Sequence, residues 1–220
     1  SDIIASGFDL WYSNDRPTER KSYDKFGIYR VSDNNIGDAI AIGEYKYLWH
    51  SPCCKLYRRE LLVNNNILFN EGLNYGEDHI FNLTILLHCR TVSLVPVSNY
   101  IYTHYGNLSL TNRRVPYETM FNYIVDLYHI RQLNNYSNKK YSAFCSNQIS
   151  SYYWETIFTL YRTERDKQKR NKALYKINNQ IPRQIRYCGL LPQRYKFMRI
   201  MYRTFPFFLS DIINRAIAQI

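Results

Sequence analysis

Ile67-Leu68-Phe69-Asn70-Glu71-Gly72-Leu73-Asn74-Tyr75-Gly76-Glu77-Asp78-His79-Ile80-Phe81-Asn82 is the stretch on which the fold turns. It opens with three apolar residues that read as a brief extended piece. It continues through a loop, Asn70 to Gly76, rich in the Asn and Gly that tight backbone favours. It ends on two carboxylates, after which Ile80, Leu83, Thr84 and Leu87 recur at the i, i+3, i+4, i+7 spacing of a helix face. Acidic residues in a first turn sit where the helix dipole favours negative charge.

Upstream, Leu56 to Leu62 carries Arg58, Arg59 and Glu60 between apolar positions and reads as a short helix, stopped by Asn64-Asn65-Asn66. Asp2 to Tyr12 is β-branched and aromatic and reads as a strand. Ser13 to Asp24, with Pro17, reads as a turn or surface hairpin, and Asp33-Asn34-Asn35-Ile36-Gly37 as a second turn. Ile40 to Leu48 fits helix or strand equally. Downstream, Thr91 to Val97 reads as a strand closed by Pro96, and Tyr100 to Tyr105 as a second strand with alternating aromatics.

From Pro116 the period changes. Tyr117, Met120, Phe121, Ile124, Val125 and Tyr128 repeat at three and four, as do Phe144, Cys145, Gln148, Ile149, Tyr152, Thr156 and Leu160. These spacings predict two amphipathic helices joined through Asn134–Lys140. Arg162 to Lys172 reads as a solvated helix face or loop. No internal repeat is visible. The expected organisation is an α/β part over residues 1–112 and a helical region over residues 113–220.

The 220 residues are 45% hydrophobic and 21% charged, enough to bury a core and too apolar for a disordered tail. No run of about eighteen apolar residues exists, so no segment reads as a spanning helix. Five Cys in irregular positions suggest reduced thiols in a cytosolic compartment. His50, Cys53, Cys54, His88 and Cys89 lack the paired spacing of a zinc site. The net charge of +11 is unevenly placed: residues 151–220 hold 14 Lys+Arg against 4 Asp+Glu, and residues 1–150 hold 15 against 14. The excess concerns partners rather than fold.

Four motifs occur in order: Lys55-Leu56-Tyr57-Arg58-Arg59, Phe69-Asn70-Glu71-Gly72, Gly76-Glu77-Asp78, and Tyr100-Ile101-Tyr102 before Asn107-Leu108-Ser109. This order resembles the second half of bacterial family-two glycosyltransferases, GT-A enzymes that build capsule, exopolysaccharide or lipopolysaccharide chains. The resemblance covers residues 1–112. It implies a partial GT-A-like mixed sheet with flanking helices, and an inverting, hexosyltransferase-like reaction. An acceptor hydroxyl attacks the anomeric carbon of a nucleotide-sugar, a carboxylate takes its proton, and nucleoside diphosphate leaves. The resemblance assigns the base to Asp78, with Glu77 beside it placing the acceptor or tuning the base. Two adjacent carboxylates raise each other's proton affinity while a helix N-terminus lowers it, and the residues alone leave the balance open. A pair that merely caps the helix is the competing reading.

Other residues carry secondary expectations. Lys55 could meet phosphate or carboxylate, or lie solvated on the surface. Trp49 and Tyr75 could stack on a sugar or pack in the core. His104 could reach a metal or the leaving diphosphate, or be an ordinary strand-end histidine. The family implies a divalent metal, Mg or Mn, held by an Asp-x-Asp motif, and no Asp-x-Asp occurs in this sequence. The chain is therefore expected to be the acceptor-side portion of a longer enzyme and inactive by itself, with an open sheet edge or exposed apolar face where the nucleotide-binding half would pack. Cys53 stands where many relatives carry Trp, so the acceptor wall is expected to differ.

Residues 190–220 alternate Arg194, Lys196, Arg199 and Arg203 with bulky apolar residues, the pattern of a helix lying in a membrane interface or of one docked on the body. The first alternative suits a peripheral enzyme at the cytoplasmic face of the plasma membrane, acting on a glycan or lipid-linked glycan. A non-catalytic basic module binding membrane or nucleic acid is the alternative function. Against nucleic acid, the tyrosine-rich first two thirds carry almost no excess positive charge, and no helix-turn-helix or RNA-recognition pattern appears.

Overall fold

The computed structural model describes residues 1–13, 17–21, 26–30, 49–104, 114–133, 139–188 and 200. The segment 40–48, most of the hairpin tip, Asn107-Leu108-Ser109 and the basic tail apart from Ile200 lie outside them. The chain divides into two compact units, one of residues 1–114 and 133–144, the other of 115–132 and 145–220.

The first unit is built on a mixed sheet. β1 (Ile3–Tyr12) runs parallel to β5 (Thr91–His104), which pairs antiparallel with β3 (Gly27–Arg30). The other edge of β1 carries β4 (Lys55–Tyr57) against Ile3 to Ala5 and β2 (Glu19–Lys21) against Phe8 to Leu10, both antiparallel. β1 and β2 therefore pair as a hairpin, one of the two readings of the stretch Ser13 to Asp24. Ile3, Ala5, Val92 and Leu94 share one face and are buried. The opposite face carries the exposed apolar side chains of Leu56 and Ile28, in register with Ile4 and Ser93.

Two strand expectations need correction. Tyr105 lies outside the described residues, and Thr91–Val97 and Tyr100–His104 are not separate strands: β5 runs through Pro96. Its pairing with β1 jumps from Ser6↔Val95 to Gly7↔Ser98, so the proline, which cannot donate, falls where the ladder is already interrupted. The short helix expected over 56–62 begins later. Lys55 to Tyr57 extend as β4, and α1 (Arg59–Asn64) follows. The asparagines end it as expected: Asn65 Nδ2 donates to the Leu61 carbonyl at 2.8 Å, and Asn66 takes the left-handed conformation with φ 49°, which Asn tolerates better than most residues.

α2 (Glu77–His88) starts at Gly76, whose φ of 76° is accessible without strain only to glycine. Its residues His79 to Leu83, Ile85 and Leu86 are all buried, the signature of a core helix. Asp2 ties three elements together. Its carboxylate accepts from the backbone N–H groups of Arg90 (2.6 Å) and Thr91 (3.1 Å) and pairs with Arg58 Nε at 3.2 Å.

The second unit is helical: α3 (Tyr117–Leu133), α4 (Lys139–Thr163), which reaches into it from residue 145, α5 (Lys167–Gln180) and α6 (Arg183–Arg186). The Arg186 carbonyl accepts from Ser150 Oγ (3.0 Å) and Trp154 Nε1 (2.9 Å), and the Asn178 Oδ1 accepts from Tyr153 (2.7 Å) and Arg186, which knits α4, α5 and α6. The charged stretch 162–172 is only partly solvated. Asp166 caps α5 by accepting from Lys169 N at 3.0 Å. Arg170 is fully buried, donating to the carbonyls of Glu164 (3.1 Å) and Arg165 (2.7 Å) beneath the Tyr161 ring.

Candidate functional site

Two elements converge on the acidic pair. β4 supplies Lys55 and Tyr57, which point to one side because side chains alternate along a strand; Leu56 between them is exposed. α2 supplies Glu77 and Asp78 from its first turn and Phe81 and Asn82 from its second. Tyr57 Oη donates to Asn82 Oδ1 at 2.6 Å, and Asn82 Nδ2 donates to the Trp49 carbonyl at 2.9 Å. The strand, the helix and the turn at Trp49 are thereby locked together. The Tyr57 ring meets Phe81 edge-on at 5.7 Å, and Phe69 lies flat on Phe81 at 4.1 Å and 10°.

Asp78 is half-buried, neither sealed in nor free in solvent. Burial, and then the neighbouring Glu77, push its carboxyl above the ordinary aspartate value, and the Lys55 ammonium only partly offsets them. Desolvation and like charge thus act together to raise the affinity of Asp78 for a proton. Burial brings the Lys55 ammonium down to about 8, against the opposing pull of Cys54, Cys53 and Asp78. Its Nζ donates to the carbonyls of Ser51 and Cys53, the latter at 3.2 Å, and lies 5.8 Å from the Trp49 ring centroid. Lys55 thus folds back over its own loop and is not the solvated lysine of the alternative reading. Burial, and then Asp78, hold the Tyr57 hydroxyl far above its usual range, so it remains a donor.

Trp49 takes the core alternative. It is completely buried, which removes it as a surface for a sugar. Tyr75 is half-buried in the loop that leads to the carboxylates. His104 is the last residue of β5, in register with Tyr12 of β1 and with its ring 5.7 Å from the Tyr12 ring. The contacts that assemble Lys55, Tyr57 and the α2 carboxylates do not include it. Among the described residues, no group of three or more His, Cys, Asp or Glu side chains could hold a metal ion, and the five cysteines are free thiols. His104 belongs to no such group among those residues.

Three participants were not singled out in the sequence: Tyr57, Asn82 and His79. A strand assignment for residues 55–57 would have placed Tyr57 beside Lys55. Asn82 lies one helical turn beyond Asp78, so it carried a positional signal. His79, buried against His50 with ring centroids 3.9 Å apart, gave none.

No protein-family model matches the chain. Over 109 residues, half of this chain and 30% of the relative, it is 28% identical to a Bacillus subtilis (strain 168) protein described as the uncharacterized glycosyltransferase EpsJ. The whole chain superposes on the crystal structure of S. aureus TarS 1–349 in complex with UDP-GlcNAc, with a TM-score of 0.56 and 18% identity, spanning 59% of that protein. A second TarS 1–349 structure gives a TM-score of 0.51 at 17% identity, with 57% of it spanned. The mixed α/β fold is thus shared with TarS, and the chain spans well under two thirds of each of these relatives.

Proposed function

We propose that this chain forms the acceptor side of an inverting GT-A glycosyltransferase, with Asp78 as general base. The observation that carries the reading is the placement of Asp78: first turn of α2, half-buried, its proton affinity raised, in the field of the Lys55 ammonium. A base for alcohol deprotonation needs this combination of access and elevated affinity. Similarity to a glycosyltransferase and a fold shared with TarS, which binds UDP-GlcNAc, support a nucleotide-sugar donor.

In the proposed reaction the acceptor hydroxyl approaches Asp78, gives up its proton to the carboxylate, and forms a bond to the anomeric carbon. The bond to the nucleoside diphosphate breaks on the opposite face, inverting that carbon. Burial and then Glu77 raise the proton affinity of Asp78, and the Lys55 ammonium opposes that rise. The divalent ion, Mg or Mn, expected of the intact enzyme would take its carboxylates from outside the described residues, with His104 as a single further ligand. The acceptor is a glycan or lipid-linked glycan in surface polysaccharide synthesis at the cytoplasmic face of the membrane.

The test is Asp78→Asn in the intact enzyme. Transfer from the nucleotide-sugar should fall about 10²- to 10⁴-fold, the usual worth of a positioned base. Donor binding, followed by calorimetry, should be retained. Undiminished transfer would sink the assignment.

A further inference from the structure

The aromatic cluster beside Asp78 is most exposed at Phe69. Phe69 is 45% exposed although it lies parallel on the buried ring of Phe81. One face of the ring is therefore occupied by Phe81, and its exposure is concentrated on the rest. The loop that presents it is fixed: Gly72 N donates to Asn70 Oδ1 at 3.0 Å, and Leu73 N to the Asn70 carbonyl at 3.1 Å. Phe81 lies three residues after Asp78 on α2, so the two are neighbours along one side of the helix, with Cβ atoms about 5–6 Å apart. Tyr57 touches Phe81 and feels the charge of Asp78, which closes the path from the carboxylate to the exposed ring.

We propose that Phe69 is a stacking platform for a sugar ring of the acceptor glycan, one or more residues away from the ring whose hydroxyl faces Asp78. The occupant's identity rests on the transferase reading; the platform itself rests on geometry. The face of an aromatic ring is electron-rich and apolar, and a pyranose offers a face of weakly positive C–H bonds that fits it. Glu71, exposed on the same loop, supplies a carboxylate at the rim for hydroxyls. A rigid ring backed by a second ring loses little conformational freedom on binding.

The test uses the full chain with ring-labelled phenylalanine, titrated with maltotriose, cellotriose and chitotriose and followed by NMR. At least one trisaccharide should shift the Phe69 resonances, with its own C–H signals moving upfield. Phe69→Leu keeps an apolar cover on Phe81 and should weaken that glycan about two- to tenfold, the range expected for one stacking contact. Phe69→Trp should restore it. If none of the three shifts the ring, or if Phe69→Leu binds as tightly as wild type, the platform is wrong. Turnover of nucleotide-sugar by Asp78→Asn judges the transferase reading separately, so either can fail without the other.

Discussion

In the proposed reaction, Asp78 and Lys55 would set opposite limits. Asp78 must be unprotonated to act as a base, and its affinity for a proton is raised by burial and Glu77, so activity falls as pH drops through that elevated value. Lys55 is lowered to about 8 by burial, so the ammonium that holds Asp78 ionised is lost above that pH. Lys55→Met should therefore move the acid limb of kcat/KM to higher pH, because the one group lowering the affinity of Asp78 is gone. A pH–rate profile with an unmoved acid limb would show that Lys55 does no more than hold its own loop. The sequence carried this pair, since Lys55 and Asp78 both fall within its motifs. It did not carry their environment. Trp49 could not be told from a sugar-binding tryptophan, because ring chemistry is the same on either side of a surface. Arg170 looked solvated, since a charge run gives no sign that one member turns inward to cap carbonyls.

At the level of elements, legibility followed periodicity. β1, α2, α3 and α4 have long or strongly periodic patterns, and the structure has them where the spacing placed them. β4 was hidden because three residues are too few to display a period, and pairing with Ile3 to Ala5 makes it a strand. β5 was split at Pro96 because an X-Pro step normally ends a strand, and only the irregular register with β1 allows it through. The joint between these elements is Asp2. Burial opposes its charge, but the N–H groups of Arg90 and Thr91, together with Arg58, more than compensate and hold its affinity for protons below the ordinary value. A depressed folded value adds stability above the unfolded aspartate range, about 3.9, and that stability disappears as pH falls through the folded value. Asp2→Asn should cost about 1–3 kcal/mol at neutral pH, the range for hydrogen bonds to a charged group, and much less at pH 3. Urea unfolding at the two pH values checks this; an equal loss at both would mean that shape, not charge, joins β1 to β5.

For the whole molecule the informative quantity is where the charge lies. Residues 151–220 carry 14 basic and 4 acidic side chains, while the first 150 are nearly balanced. Among the described residues no helix is long and apolar enough to cross a membrane. If the chain works at a membrane face as proposed, each basic residue near an anionic leaflet contributes about 1 kcal/mol. The full chain should therefore co-sediment with vesicles containing phosphatidylglycerol and not with pure phosphatidylcholine. That binding should weaken steeply between low salt and about 1 M, where the Debye length shrinks to about 3 Å. A single-stranded oligonucleotide competes for the same charges only if phosphate alone is recognised. Lipid binding that survives excess oligonucleotide would place the apolar residues of 190–220 in the interface. Loss of all vesicle binding to the competitor, or equal binding to neutral vesicles, would remove the membrane from the proposed acceptor chemistry.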